Sequence, residues 1–395
     1  MQDNYLMKNY GAPAMTLVKG EGVYAWDQNG NRYLDAVSGL AVCGLGHCHP
    51  KVTQAIQTQA ETLVHCSNLY GIAPQIELAE KLCKKSGMER VFFGNSGAEA
   101  NEAAIKLARL YGNKKKVKVP TIIVVESAFH GRTMATLTAT YGRKAQAGFE
   151  PLVRGFTRAV YNDIASVEEI IANNSDIVAI MVEPIQGEAG VRIPEATYLN
   201  QLRDICDQNE LLLILDEIQT GNGRTGTYFA YQKNGIKPDI VTTAKGLANG
   251  IPIGACLARG VAAELYGPGS HGSTFGGNPM ACSAANAVFD TIESENLTQR
   301  ALELGNSIVN QLNDGLSKNP NVVEIRGQGL MIAVELSAPC GELVTMAAKQ
   351  GLLINVTSQN VVRLLPPFIY TDENVATLTS TLIEIVQQWT LESAA

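Results

Sequence analysis

The sequence predicts an α/β protein with a mostly parallel central sheet flanked by helices, followed by a smaller α+β domain. Between about residues 91 and 258, short apolar runs rich in β-branched residues recur, and helical patterns lie between several of them. Strands that are apolar throughout are buried on both faces, which is typical of a parallel sheet covered by helices. From about residue 295 the pattern changes to a helix, several short strands and a final helix.

Each element has a local signal. A hairpin is predicted within residues 16–35, because Asn29-Gly30 is a turn signal between two strand-like runs. Helices are predicted at residues 52–64, 75–85, 98–111, 196–208, 302–316 and 374–389. Strands of the central sheet are predicted at residues 91–93, 121–125, 177–182, 211–215, 240–243 and 255–258. Short strands of the last region are predicted at residues 322–325, 330–336, 352–356 and 361–364.

Length and composition bound the domain count and the class of partner. At 395 residues the chain is expected to form more than one core. We predict an N-terminal segment at residues 1–50 that packs with the small domain, a large domain at residues 51–294 and a small domain at residues 295–395. An apolar fraction of 46% indicates an ordered globular protein, and a net charge of -7 disfavours nucleic acid as a partner.

The same composition points to the cytoplasm. The first ten residues are polar and lack the apolar core of a signal peptide, and no apolar run is long enough to cross a bilayer. Eight cysteines are scattered through the chain without a C-x-x-C pair. They are expected to be reduced, mostly buried thiols.

An acid and an amine follow two predicted strands. The run at residues 211–215 ends in Asp216, and the next apolar run, at residues 240–243, is followed by Lys245. Ligands of open α/β sheets bind at the carboxyl ends of the strands, so both side chains are expected at one crevice. Pyridoxal phosphate needs such a pair, a lysine for its aldehyde and a carboxylate for its ring nitrogen. An exposed lysine and a helix-capping aspartate without any role in binding would give the same sequence pattern.

A phosphate site is predicted where the strand at residues 91–93 gives way to a helix. Ser96 and Glu99 have the spacing of a capping box, and the free amides of a helix start favour an anion. An ordinary capped helix would have the same pattern. Ser273 and Thr274, in a glycine-rich stretch, can add hydroxyl donors.

Two further patterns suggest different ligands. Residues 221–226 match G-x-G-x-x-G, but no convincing helix opening follows, and Asp239 comes too soon for a dinucleotide fingerprint. His47-Cys48-His49 suggests a metal, yet further ligands at suitable spacing are missing from the sequence. We therefore predict neither a nicotinamide cofactor nor a metal site.

Taken together, the motifs resemble the class III, or ω-type, pyridoxal-phosphate aminotransferases. The resemblance extends over nearly the whole chain and includes GHCHP at residues 46–50, FFGNSGAEAN at 92–101 and FHGRT at 129–133. It also includes EPIQGEAG at residues 183–190 and LDEIQTGNGRTG at 215–226. It implies a fold type I enzyme that works as a homodimer, with the active site at the subunit interface.

The resemblance also implies the cofactor-binding residues. Lys245 matches the lysine that holds pyridoxal 5'-phosphate as a Schiff base, and Asp216 matches the partner of the ring nitrogen. The phosphate-binding residues that it implies are Ser96, Gly97, Ala98 and, from the other subunit, Thr274. Phe129 and Ile218 match the residues on the two faces of the ring, and Gln219 matches the residue near the ring hydroxyl. Without the family match, Phe129 would be assigned to core packing.

For the substrates, the resemblance implies two carboxylate clamps, Arg132 and Arg363, with Ser273 as a further contact. A guanidinium group suits bidentate carboxylate binding. Arg363 lies in an apolar run, where a charge needs a partner. Glu188 matches a gate that pairs with Arg363 when the substrate offers no α-carboxylate there.

The family pattern favours one amine donor. Residues 38–42 resemble the segment of enzymes that act on N-acetylornithine, and Leu40 stands where ornithine-specific members carry tyrosine. We therefore expect transfer to 2-oxoglutarate, giving glutamate and a semialdehyde in arginine biosynthesis. Succinylornithine, N-succinyl-diaminopimelate, ornithine and 4-aminobutyrate stay open as donors. The sequence is also compatible with a glutamate-semialdehyde aminomutase and, less well, with a regulatory protein that binds the cofactor or an inactive binding protein.

Overall fold

The computed structural model describes residues 5–393, so the outermost residues of the predicted segments 1–50 and 295–395 lie outside the described part. The strands are β1 (Leu17–Glu21), β2 (Tyr24–Asp27), β3 (Arg32–Asp35), β4 (Arg90–Gly94), β5 (Thr121–Val125), β6 (Phe156–Ala159), β7 (Ile177–Val182), β8 (Leu212–Asp216), β9 (Ile240–Thr243), β10 (Gly254–Ala258), β11 (Val322–Gln328), β12 (Met331–Leu336), β13 (Leu352–Leu353), β14 (Asn355–Thr357) and β15 (Val361–Leu364).

Helices occupy much of the rest of the chain. They are α1 (Ser38–Ala41), α2 (Pro50–Thr62), α3 (Ala73–Ser86), α4 (Gly97–Lys114), α5 (Met134–Ala139), α6 (Arg143–Gln146), α7 (Ile164–Asn173), α8 (Tyr198–Gln208), α9 (Pro279–Ser294), α10 (Leu297–Leu316), α11 (Leu343–Lys349) and α12 (Asp372–Ser393). Short 3-10 helices lie at Ala230–Asn234, Lys245–Ala248 and Gly260–Glu264. Within the described residues, no helix is both long and apolar enough to span a membrane.

The central sheet has seven strands in the order β4-β10-β9-β8-β7-β5-β6. The strands from β9 to β6 run parallel to one another, whereas β10 is antiparallel to both of its neighbours. Strands β5, β7, β8, β9 and β10 are buried at every residue. The predicted α/β class with a mostly parallel sheet is therefore confirmed, and the continuous apolar runs have the expected physical cause, burial on both faces.

Two predictions about strands need correction. Strand β6 was not predicted, because Phe156–Ala159 has only four residues and contains polar ones. The strand predicted at residues 352–356 is two strands that belong to different sheets. Strand β13 pairs in parallel with β3 in the N-terminal sheet, and β14 pairs with β15 in the C-terminal sheet. The first pairing joins the N-terminal strands to the C-terminal part, while the domain boundaries themselves stay predictions.

The hairpin around Asn29-Gly30 forms as predicted, with β2 antiparallel to β3 and Gly30 at φ 84. A positive φ costs glycine little, which is why the turn uses it. The C-terminal sheet has the order β11-β12-β15-β14. This sheet carries Arg363, whereas Asp216 ends strand β8 of the central sheet and Lys245 follows its strand β9. The active-site residues predicted from sequence therefore come from two separate sheets.

Candidate active site

Asp216 and Lys245 lie at the same edge of the central sheet. Asp216 is the last residue of β8, Lys245 follows β9 closely, and the two strands are paired neighbours. Both side chains line one cavity of about 390 Å³, which we call the active-site cavity. Lys245 has φ 41, in the left-handed region that side chains disfavour. Such local strain is typical of residues that a fold holds in place for function.

The carboxylate of Asp216 is fixed by three hydrogen-bond donors. Its Oδ2 accepts from Nδ1 of His130 at 2.7 Å and from Nδ2 of Asn101 at 2.8 Å. Its Oδ1 accepts from the backbone N–H of Ile218 at 3.1 Å, and the residue is only 3% exposed. These contacts fix the position of the Asp216 carboxyl group at the cavity. His130 and Asn101 were not predicted, although each lies within a motif that carries the family resemblance.

Lys245 sits among acidic side chains in the cavity. Burial lowers the pKa of its amine, and the nearby carboxylates of Glu188, Asp216 and Glu183 act in the opposite direction. Burial, and then the charge of Asp216, raises the pKa of Glu183 well above its usual range. Lys245 is thus biased toward the neutral amine, which is the form that can accept a proton or attack a carbonyl carbon.

The N-terminus of α4 opens onto the same cavity through Ser96, Gly97 and Ala98. Ser96 Oγ accepts from the backbone N–H of Glu99 at 3.2 Å, as in the predicted capping box. The carboxylate of Glu99, however, accepts from the backbone N–H of Asn95 at 2.6 Å, one residue before the predicted partner. The second half of the capping box is therefore shifted by one residue. The start of this 18-residue helix lies at the cavity, where its first amides favour an anion.

Phe129 and Ile218 also line the active-site cavity. The backbone N–H of Phe129 donates to Glu183 Oε2 at 2.9 Å, which fixes the position of the aromatic residue. Ile218 packs so closely on Gly97 that a Cβ there would lie 2.7 Å from the isoleucine Cδ1. Glycine at this position is what lets the loop approach the wall of the cavity.

Arg363 reaches the site from the C-terminal sheet. Its Nη1 lies 2.7 Å from Glu188 Oε1, and Asn355 Oδ1 accepts from its Nη2 at 2.8 Å. Burial would raise the pKa of Glu188, but Arg363 and Lys245 outweigh it, so this pKa is lowered. Gln219 Nε2 donates to Glu188 Oε1 at 3.3 Å. The only charged group that pairs with Arg363 among the described residues is thus Glu188, the predicted gate.

Of three further predicted residues, Arg132 lines the cavity, whereas Ser273 and Thr274 do not. Arg132 lines the cavity and is exposed, with its guanidinium 4.8 Å from the centre of the Phe129 ring. Ser273 does not line the cavity, since its Oγ accepts from Nδ2 of Asn95 at 3.0 Å and also binds its own loop. Thr274 is exposed and does not line the cavity of its own chain either. The roles given to all three stay predictions.

The segment that carries Leu40 has an unusual backbone. Ser38, Gly39, Leu40 and Ala41 all have φ between 45 and 68, so α1 is a left-handed turn. Three of these residues carry a side chain, and each is disfavoured there by roughly 1–2 kcal/mol. The turn is held by the Ser38 hydroxyl, which donates to the carbonyl of Leu365 at 2.6 Å. It leads directly into Val42, which lines the cavity.

The dinucleotide-like and metal-like patterns have structural explanations. No α-helix follows residues 221–226 directly; the chain continues as a loop to the 3-10 helix Ala230–Asn234. Arg224, within residues 221–226, donates to the carbonyl of Pro366 at 2.5 Å. His47 Nε2 lies 2.8 Å from Asp35 Oδ2, and this contact raises the pKa of His47 to about 10. The loop at residues 221–226 thus contacts the region next to the C-terminal sheet. His47 is engaged in an ion pair with Asp35.

The residues of the cavity fit pyridoxal phosphate by the chemistry of their donors. A helix N-terminus suits the phosphate, Asp216 suits a protonated ring nitrogen, and an aromatic and an aliphatic wall suit the ring faces. Lys245 supplies the amine that such a cofactor needs. A sheet edge with this set of groups defines a pyridoxal-phosphate enzyme.

Comparison with known proteins places the chain in a family. The sequence pattern of the family Aminotransferase class-III matches residues 5–386, so the chain belongs to the class III aminotransferases. It is 55% identical to an acetylornithine aminotransferase of Nitrosomonas europaea over 99% of both chains. The predicted cofactor, pyridoxal phosphate, and the predicted enzyme class are therefore confirmed.

Solved structures agree with this placement. An ornithine aminotransferase of Toxoplasma gondii, whose active site holds pyridoxal phosphate at partial occupancy, matches with a TM-score of 0.93 at 34% identity, covering 98% of this chain and 93% of that one. An N-acetylornithine aminotransferase of Stenotrophomonas maltophilia matches with a TM-score of 0.85 at 35% identity, covering 96% and 98%. The fold is thus shared by members that differ in amine donor.

Proposed function

We propose that the protein transfers the terminal amino group of N-acetylornithine to 2-oxoglutarate, giving N-acetylglutamate semialdehyde and glutamate in arginine biosynthesis. The observation that carries this choice of donor is the 55% identity to the Nitrosomonas europaea acetylornithine aminotransferase over 99% of both chains. Fold similarity alone does not favour one donor, because the matching structures include both ornithine and N-acetylornithine aminotransferases.

The residues near Lys245 support a proton-transfer mechanism. Bound pyridoxal phosphate supplies an aldehyde carbon for the amino group and an electron-withdrawing ring. The Nζ of Lys245, whose pKa is lowered by burial, would take the proton from the substrate carbon that bears the nitrogen and deliver it to the former aldehyde carbon of the cofactor. Asp216, fixed by its three hydrogen bonds, would hold the proton of the ring nitrogen.

At the substrate end of the site, Arg363 exchanges one carboxylate partner for another between the two half-reactions. With an amine donor, Glu188 neutralises Arg363 at 2.7 Å, so no buried guanidinium is left unpaired. With glutamate or 2-oxoglutarate, the α-carboxylate takes the place of Glu188 on Arg363. Arg132, which has no acidic partner among the described residues, binds the distant carboxylate in both half-reactions.

An amine-donor panel tests the proposed substrate. N-Acetylornithine, N-succinylornithine, ornithine and 4-aminobutyrate are compared with 2-oxoglutarate as the acceptor. We expect the highest kcat/KM with N-acetylornithine, and a higher value with ornithine would contradict the proposal. A parallel assay of glutamate-1-semialdehyde without acceptor separates an aminomutase, which needs no 2-oxoglutarate.

We further propose a homodimer whose active site is completed across the interface, in the cytoplasm. Exposed apolar side chains, among them Leu69 at 84%, Tyr70 at 70% and Phe275 at 60%, cluster beside Thr274. Asn68 joins the two segments by donating to the carbonyl of Gly276 at 3.0 Å. Large apolar side chains exposed in this way fit a contact with a second copy of the chain. The eight cysteines are all free, which suits a reducing compartment.

The dimer is tested by light scattering after size exclusion. We expect two chains per particle, a shift toward monomer in Phe275→Glu, and weaker retention of the cofactor in Thr274→Ala. A Val261→Glu variant, which changes an exposed apolar residue outside this cluster, serves as the matched control. A monomeric wild type that binds the cofactor fully would contradict this part of the proposal.

A further inference from the structure

A second cavity lies behind the loop that carries Glu188. Its volume is about 380 Å³, close to the 390 Å³ of the active-site cavity. Its lining includes apolar residues such as Pro184, Ile185 and Leu199 and a polar set, which we call the rim: Glu195, Asn200, Lys233, Asn234 and Gln328. Volumes of this size are typical of sites for small molecules. Neither the transfer of an amino group nor the binding of the cofactor uses this space.

The rim of the second cavity carries two opposite charges that do not pair with each other. Glu195 makes no side-chain hydrogen bond or ion pair with any described residue. Lys233 has one long contact, from its Nζ to Gln328 Oε1 at 3.4 Å, and no acidic partner among the described residues. A carboxylate and an ammonium group at one cavity, each lacking an ionic partner, are complementary to a ligand that carries both charges.

The amide groups of the rim are organised by their own hydrogen bonds. Asn200 Nδ2 donates to the carbonyl of Asn234 at 2.9 Å, and Asn234 Nδ2 donates to Asn200 Oδ1 at 3.0 Å. Asn234 also donates to the carbonyl of Ala196 at 2.8 Å. These bonds fix the wall between the start of α8 and the 3-10 helix that bears Lys233. The wall is therefore set before any ligand arrives, which lowers the entropic cost of binding.

One loop separates the second cavity from the active site. Gln186 and Arg192 form a two-way backbone bridge at 3.1 and 3.0 Å, so residues 186–192 fold back as a hairpin with Glu188 near its tip. Pro184 and Ile185 on one side of its base, and Ile193 and Pro194 on the other, line the second cavity. The tip lines the active-site cavity.

The C-terminal sheet also holds this loop. Arg326 donates to the carbonyls of Gly190 at 2.6 Å and Val191 at 3.0 Å, and Gln328, on the same strand β11, lines the second cavity. A ligand in the second cavity therefore touches the base of the hairpin and the strand that holds its tip. These contacts provide a physical route from the second cavity to Glu188, which in the proposed function leaves Arg363 when an α-carboxylate binds.

We propose that the second cavity is a regulatory binding site for a small zwitterion of amino-acid size. The anionic end of the ligand lies at Lys233, its cationic end lies at Glu195, and its aliphatic part covers Ile185 and Leu199. Binding stabilises the hairpin in the arrangement that keeps Glu188 on Arg363. The ligand thereby opposes the binding of 2-oxoglutarate without entering the active-site cavity.

The probe for this site is 4-guanidinobutyrate. Its guanidinium fits a carboxylate in a bidentate manner, its carboxylate fits an ammonium group, and it has no amino group that the enzyme could transfer. Calorimetry on the cofactor-loaded enzyme measures its binding. Glu195→Gln and Lys233→Gln are each expected to raise the Kd about fivefold, the effect of one exposed ion pair. Ala196→Trp, which fills the cavity, is expected to abolish binding.

Matched controls change charges that do not line the cavity. Glu168→Gln and Lys237→Gln alter exposed residues of the same types and should leave the Kd unchanged. Arg132→Lys, in the active-site cavity, should also leave it unchanged. Equal Kd values in the wild type, Glu195→Gln and Lys233→Gln would overturn the proposal, as would a loss of binding in Arg132→Lys alone. These binding results do not depend on which amine donor the enzyme uses.

A kinetic measurement tests the connection to Glu188. In the wild type, saturating 4-guanidinobutyrate is expected to raise the KM for 2-oxoglutarate severalfold, and in Ala196→Trp it is expected to have no effect. Inhibition of equal strength in both proteins would mean that the probe competes inside the active-site cavity. That result would overturn the regulatory role.

Discussion

The two ends of the active-site cavity are held in different ways. At the sheet end, Asp216 accepts hydrogen bonds from three groups, and the residue is 3% exposed. At the substrate end, Arg363 faces Glu188 in one ion pair, and the glutamate side chain is 34% exposed. The first arrangement lies within the central sheet and its loops, whereas the second joins the C-terminal sheet to a hairpin loop.

The two arrangements suit two different requirements: one end of the site faces the same cofactor in every turnover, and the other end binds two different substrates. A buried carboxylate held by three donors is costly to rearrange, which suits the proposed role of Asp216 in keeping the ring nitrogen protonated in every turnover. Asn101 illustrates the point, since its Oδ1 accepts from Thr242 at 2.7 Å while its Nδ2 holds Asp216. A partly exposed ion pair can exchange its carboxylate at low cost, which suits a site that accepts two different substrates.

Lys245 lies between the two ends, so its removal should have the largest effect. In Lys245→Ala we expect transamination to fall by at least about 10⁴-fold, because both covalent attachment and proton transfer are lost. The wild type should be yellow, and borohydride should fix the cofactor to a peptide that contains Lys245. Lys237→Ala, an exposed lysine, is the control. Retention of normal turnover in Lys245→Ala would refute the assignment.

Asp216→Asn should damage the sheet end almost as severely. We expect a decrease in kcat of about 10³-fold, because an amide cannot stabilise a protonated ring nitrogen as a buried carboxylate does. The absorption spectrum of the bound cofactor should also shift, since it depends on the ring charge. Glu217→Gln is the matched control, because Glu217 is adjacent and buried but does not line the cavity. Equal rates in the two variants would contradict the role of Asp216.

How far the sequence could predict this site depends on the kind of signal each residue leaves. Asp216 and Lys245 stand at the ends of two apolar runs, so the topology of a parallel sheet brings them together without further information. His130 leaves no such signal. Its contact with Asp216 spans 86 positions, and nothing in the local pattern distinguishes it from a histidine of the core.

The backbone shows the same limit. Strands β5, β7, β8 and β9 were predictable because burial on both faces makes them apolar throughout. The left-handed turn at Ser38–Ala41 contradicts local propensity, and it depends on a contact with Leu365, which is 327 positions away. Likewise, nothing local tells that residues 352–356 divide between two sheets. Tertiary contacts decide these cases.

At the substrate end, Arg363→Ala should weaken the use of dicarboxylates. We expect the KM for 2-oxoglutarate and for glutamate to rise about 100-fold, since a buried charge-assisted bidentate contact is removed. The half-reaction with the amine donor should change much less, because there Glu188 occupies Arg363. Single-turnover measurements of both half-reactions in Arg363→Ala, with Arg90→Ala as a surface control, provide the test. Unchanged acceptor kinetics would show that the α-carboxylate binds elsewhere.

The smallest expected effect concerns stability rather than rate, and it arises at Glu217, the neighbour of Asp216. Burial raises the pKa of Glu217 to about 7, although Thr220 and the backbone N–H of Tyr231 donate to its carboxylate. A folded-state pKa above the unfolded one contributes stability that is complete below about pH 4.5 and is lost as pH rises to about 7. Between pH 5 and 8 this loss amounts to roughly 2–3 kcal/mol.

Urea unfolding of the wild type and Glu217→Gln at both pH values measures this loss. The variant cannot titrate at this position, so its free energy of unfolding should fall less than that of the wild type by about the same 2–3 kcal/mol. Parallel decreases in the two proteins would show that Glu217 is already ionised at pH 5.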